Sequence, residues 1–149
     1  MKIEFATEKN HKKRSVAFLV CSNKKVSAKL VFDGLENTNP ERMLWVRFDS
    51  WVAGLPNKKW YHGWTQSQYK GNYTNCFVFK CKEKKLEHRF YGFLCNPKPS
   101  DHSYQVCLLI RHALKKEWET DETDLKIVEE MRNLPTVQRA ICDCLKEGL

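Results

Sequence analysis

The order of apolar and polar runs predicts an α+β protein: a small antiparallel sheet with helices packed on one face. Three observations predict it. A first apolar run, Ser15 to Val20, is followed by stretches with helical periodicity. Three apolar or alternating runs then succeed one another with little between them, as the strands of a meander do. Two amphipathic stretches close the chain. One domain over residues 1–149 is expected from the length, and a hydrophobic content of 42% is too high for a disordered chain.

A basic approach, Lys9 to Arg14, leads into the first strand at Ser15–Val20. Val26 to Leu35 carries Ala28, Val31 and Leu35 as the buried edge of a short helix. A second helix begins at Asn39, a good N-cap, with Pro40 at the first helical position and Glu41 against the positive helix start. Its apolar residues Leu44, Phe48, Trp51, Val52 and Leu55 recur at helical spacing, and Gly54 and Pro56 end it. The aromatic, lysine-dotted stretch Asn57 to Asn75 is expected to be a loop. Strands follow at Cys76–Lys82, Leu86–Leu94 and Tyr104–Arg111. The segment Cys95 to Ser103, with Pro97 and Pro99, must be a connection. Val106 to Ile110 is continuously apolar, the pattern of a strand buried on both faces. Thr123 or Asp124 is expected to cap a helix over Leu125–Arg132. Pro135 opens a last helix holding Val137, Ile141 and Leu145, with Gly148 as its stop.

No window approaches the ~18 uninterrupted apolar residues of a membrane-spanning helix. The run Val16–Cys21 is too short for a signal-peptide core, so a cytoplasmic protein with no membrane partner is expected. The seven cysteines, Cys21, Cys76, Cys81, Cys95, Cys107, Cys142 and Cys144, are odd in number and several lie inside apolar runs. They fit reduced thiols serving as small core residues. Metal-ligand spacing is missing from the cysteines and from the five histidines, and no metal or other cofactor is expected.

A formal charge of +8 favours a polyanionic partner, most simply nucleic acid. The cations concentrate on or beside the three central strands: Lys80, Lys82, Lys84, Lys85, Arg111 and Lys116 are candidate phosphate contacts. Arg89 has the planar fork to clamp a phosphate, and Lys115 supplies point charge. Tyr91, two residues on, shares the face of Arg89 and can stack on a base or give up a proton. His112 titrates near neutrality and suits the general acid or base of metal-free RNA cleavage. Arg89, Tyr91, His112 and Lys115 thus make a candidate catalytic set, provided they converge on one patch sized for a phosphodiester. Without convergence, the basic surface is a non-catalytic nucleic-acid-binding or ribosome-associated module, with Trp60, Tyr61 and Trp64 available to stack on unpaired bases. A third reading makes Trp60 to Tyr73 a protein-docking stretch.

Over residues 73–132 the chain resembles the RelE/ParE toxin superfamily, in particular its HigB-like, phage-derived branch. The resemblance rests on Phe77-Val78-Phe79-Lys80, His88-Arg89-Phe90-Tyr91-Gly92-Phe93-Leu94, and Leu108-Leu109-Ile110-Arg111-His112-Ala113-Leu114-Lys115-Lys116, with the helix Leu125–Arg132 after them. It implies a RelE-like fold and a metal-independent endoribonuclease that cleaves mRNA on the ribosome and is neutralised by an antitoxin. Glu117 to Asp121 departs from the pattern, and nothing before Tyr73 aligns with it.

Overall fold

The structure, a computed structural model, describes residues 1–8, 14–65, 69–96, 104–116 and 122–146, with residues 145 and 146 described by their backbone alone. Residues 9–13, most of the proline-bearing connection, the segment 117–121 and the expected stop at Gly148 lie outside the described residues. The chain is mixed α+β. Its strands are β1 (Lys2–Phe5), β2 (Arg14–Val20), β3 (Tyr61–Gly63), β4 (Cys76–Glu83), β5 (Leu86–Cys95) and β6 (Gln105–Lys115). Its helices are α1 (Ala28–Gly34) and α2 (Asn39–Val52) between β2 and β3, and α3 (Glu122–Arg132) and α4 (Pro135–Lys146) after β6.

The six strands form one sheet in the order β1-β2-β6-β5-β4-β3. Every neighbouring pair is antiparallel except β2 and β6, which run parallel with Arg14 opposite Gln105 and Phe18 opposite Leu109. The sheet is therefore mixed rather than purely antiparallel. A parallel pair needs a long crossover, and α1, α2 and the β3–β5 hairpins together supply it.

Helices cover both faces, not one. Phe18, Phe32, Leu44, Phe48, Trp51, Phe77, Phe79, Phe90 and Leu109 join in a core beneath α1 and α2. Ala17, Leu19, Val78, Tyr91, Phe93, Leu108 and Ile110 meet Leu125, Val128, Met131, Val137 and Ile141 in a second core beneath α3 and α4. Alternation along each strand feeds both: in β4, Phe77, Phe79 and Cys81 face α2 while Cys76 and Val78 face α3. Two elements were not expected. β1 is a charged edge strand on β2, and β3 is a three-residue edge strand inside the stretch read as a loop. The N-cap of α2 is Thr38, one residue before the expected Asn39, and its side chain accepts from the Glu41 amide at 3.4 Å.

Candidate functional site

The candidate residues sit on β4, β5 and β6, whose register decides which of them meet. Lys80 pairs with Arg89, Lys82 with Glu87, Arg89 with Ala113 and Tyr91 with Arg111. After Tyr91–Arg111 the next pair is Gly92–Leu109, so Ile110 is an extra residue, a β-bulge in β6. An inserted residue reverses the alternation beyond it. Leu108 and Ile110 face α3 before the bulge, and Ala113 faces α3 after it. Without the bulge His112 would share the face of Leu108. With it, Arg111 and Lys115 turn to α3 and His112 to the α1 side, where its ring lies 4.9 Å from that of Phe90.

Two local devices hold the bulge. Gly92 leaves room for it: a Cβ there would stand 2.1 Å from the Leu108 carbonyl oxygen. Ser27, just before α1, replaces the missing β2 neighbour. Its amide donates to the Ile110 carbonyl at 2.9 Å, and its hydroxyl accepts from the His112 amide at 2.9 Å.

The expected catalytic set is accordingly split. Arg89, Tyr91 and Lys115 occupy the α3/α4 face and His112 the opposite one, with the sheet between. β6 also runs on to Lys115, past the expected strand end at Arg111. Arg89 is also sealed, at 3% exposure, and Tyr91 is wholly buried. The Arg89 Nε donates to Glu87 at 2.9 Å, one Nη reaches the Tyr91 hydroxyl at 3.5 Å, and the other the Lys116 carbonyl at 3.2 Å. Burial works against its charge, but Tyr91 and Glu87 outweigh it and leave its pKa above the usual value.

A second carboxylate binds the cations of β6. Asp124, in the first turn of α3 and 3% exposed, accepts from the Arg111 Nε at 2.6 Å and lies 2.7 Å from the Lys115 Nζ. It was expected only as a helix cap; its acidic neighbours gave no sign that it would reach back to the sheet. Lys80 and Lys82 fall on this same face, in step with Cys76 and Val78. Lys84 and Lys85 form the β4–β5 turn, Lys84 with φ of 58°. Lys82, Lys84, Lys85 and Lys116 are exposed and Lys80 is half-buried. Lys80, Lys82, Lys84, Lys85 and Lys116 therefore lie toward one end of the sheet, while Arg111, opposite Tyr91, lies nearer its middle.

On the other face the sequence reading missed a hydrogen-bonded chain. His88 Nε2 lies 2.5 Å from Glu83 Oε2, and His88 Nδ1 lies 2.8 Å from His112 Nε2. Burial, with the neighbouring imidazole of His88, lowers the pKa of His112 to about 4. A neutral His112 held on a second imidazole is a poor phosphate clamp. The stacking aromatics are mostly interior: Tyr61 and Trp64 are 5% and 8% exposed, and only Trp60 is partly open, between Arg47 at 4.4 Å and Lys59 at 5.0 Å. Tyr73, at the end of the proposed docking stretch, is buried too.

The seven thiols are all free, and burial pushes those of Cys81 and Cys95 up to about 12. Among the described residues, no group of three His, Cys, Asp or Glu is placed to hold a metal ion, and no helix is long and apolar enough to cross a membrane. No family model, no curated protein sequence and no solved structure matches this chain.

Proposed function

We propose that the chain is a non-catalytic RNA-binding module, of the ribosome-associated kind, that contacts phosphates with the end of the sheet formed by β4, β5 and β6. The observation that carries this reading is the gathering of Lys80, Lys82, Lys84, Lys85 and Lys116 around that end, on a chain of formal charge +8. The arginines of the same face contribute less, because Glu87 and Asp124 already hold them. Fluorescence anisotropy with a labelled structured RNA tests it. The wild-type chain should bind with an affinity that falls steeply with salt. Lys82→Glu, Lys84→Glu and Lys85→Glu together should abolish binding at an unchanged melting temperature. Unaltered binding by the triple variant overturns the assignment.

A toxin-type endoribonuclease neutralised by an antitoxin is the second reading. It keeps one supporting observation: Arg89, Tyr91 and Lys115 still share a face. Its general base cannot be His112. Induced expression with mapping of message ends decides it; cleavage that survives His112→Ala and disappears with Arg89→Lys supports the nuclease, and intact messages remove it.

A further inference from the structure

Arg89, Arg111 and Arg132 each donate from Nε to a carboxylate, that of Glu87, Asp124 and Glu129 respectively. Arg14 donates to the Trp51 carbonyl at 3.0 Å. Arg47 of α2 departs from this pattern. It is half-buried, and its Nε is sealed from water with no acceptor among the described residues. The positions three and four away on the helix, Met43, Leu44, Ser50 and Trp51, carry no charge. Across from it stand the Cys81 thiol and the Tyr61 hydroxyl. Burial pushes that thiol up to about 12, so it stays neutral, and the hydroxyl donates to the Leu55 carbonyl. Glu83, two residues beyond Cys81, is bonded to His88. Burial accordingly lowers the pKa of Arg47, whereas that of Arg89 is raised.

A sealed N–H without an acceptor costs stability. Trp60 offsets part of the cost: the guanidinium lies 4.4 Å from its ring, a cation–π contact that also fixes the fork. The Nζ of Lys59 lies 5.0 Å from the same ring. Lys59 is exposed, and neither it nor Arg47 has an ion pair among the described residues. The outer nitrogens of Arg47 are not sealed. Two cations from different segments are thus held against one partly open indole, with no counter-charge beside them.

The donors select the anion. A carboxylate has two oxygens, which the guanidinium fork takes up alone. A phosphate has further oxygens and, as a terminal ester, close to two charges, enough to engage the ammonium as well. We propose that Arg47, Lys59 and Trp60 form a phosphate-binding site on the α2 side of the sheet, built by α2 and the turn before β3. It shares no residue with the lysines of the proposed RNA contact.

The indole N–H of Trp60 reports on the site. In the proton–nitrogen NMR spectrum of the full chain it is the signal absent from Trp60→Phe. Four probes are titrated at fixed ionic strength: inorganic phosphate, a short RNA with a 5′-hydroxyl, the same RNA with a 5′-phosphate, and an oligoglutamate peptide. The phosphate probes should shift the signal to saturation. Arg47→Met should abolish the saturable shift. Arg47→Lys, which keeps the charge and loses the fork, should weaken binding about tenfold. Arg139→Gln removes one charge from α4, on the other side of the sheet, and should change binding less than about twofold. Tighter binding of the 5′-phosphorylated RNA names a terminal phosphate as the ligand; equal binding of the two RNAs names the internal diester. An oligoglutamate bound more tightly than every phosphate probe makes this a contact for an acidic protein and overturns the proposal. So does a saturable shift that survives Arg47→Met or Arg47→Lys unchanged, or the failure of any phosphate probe to move the signal.

Discussion

His112 illustrates how one side chain's role depends on a neighbour's hydrogen. Glu83, when ionised, only accepts, so His88 donates to it from Nε2. A neutral His88 then has its lone pair on Nδ1 and accepts from the Nε2–H of His112, leaving His112 Nδ1 unprotonated. Nitrogen-15 chemical shifts at pH 7 should show the Nε2–H tautomer for both rings. The pH dependence follows in sign. His112 titrates near 4 when folded against its ordinary 6.5, so between those values the unfolded chain binds more protons. Stability should fall as pH drops from about 6.5 to about 4. In His112→Gln that part of the slope, read from melting temperatures across the window, should vanish. Gly92 is as strictly determined. Gly92→Ala forces a Cβ against the backbone of Leu108 and Leu109 and should cost about 3 kcal/mol or more in a urea titration. Gly34→Ala, at the end of α1 with nothing within 4 Å of the added carbon, should change stability by under about 1 kcal/mol.

Among the elements, α3 is tied to the sheet by charge as well as by Leu125, Val128 and Met131. Asp124→Asn removes the carboxylate from Arg111 and Lys115, whose side chains are 27% and 17% exposed. A fully buried pair broken this way loses ~3–5 kcal/mol; partial exposure should reduce the loss to about 2–3 kcal/mol. A double-mutant cycle with Arg111→Met should return a coupling energy above about 1 kcal/mol. A near-zero coupling would mean the contact contributes nothing.

The same elements show what the amino-acid order can and cannot reveal. The β4–β6 meander was legible because its apolar residues alternate or run on between charged turns. The body of α2 was legible because its period is 3.6. β1 was not, since Lys2 and Glu4 interrupt it and its partner is β2 alone. β3 was not, since three residues carry no period. The bulge had one sign, an isolated glycine inside a strand pattern, and its importance lies in what it does to parity. A single extra residue at Ile110 moved His112 to the face opposite Arg89 and dissolved the expected catalytic set.

At the scale of the molecule, the both-sided cover was half visible. Val106 to Ile110 reads as a strand buried on two sides, which is incompatible with helices on one side only. Phe77 with Val78, and Phe90 with Tyr91, carry the same message in β4 and β5. The pairing of β2 with β6 had no local sign at all, because nothing near Val16 specifies a partner that comes so much later.

That pairing also sets a timetable for synthesis. Val16 through Leu19 are at most 1% exposed in the finished chain, yet one flank of their strand stays empty until Gln105 and the residues after it leave the ribosome. Until then the nascent polypeptide carries a greasy, half-zipped ribbon, the kind of surface that recruits chaperones or clumps. A version truncated at 104 should sediment with the insoluble fraction, whereas the 149-residue chain should stay in the supernatant.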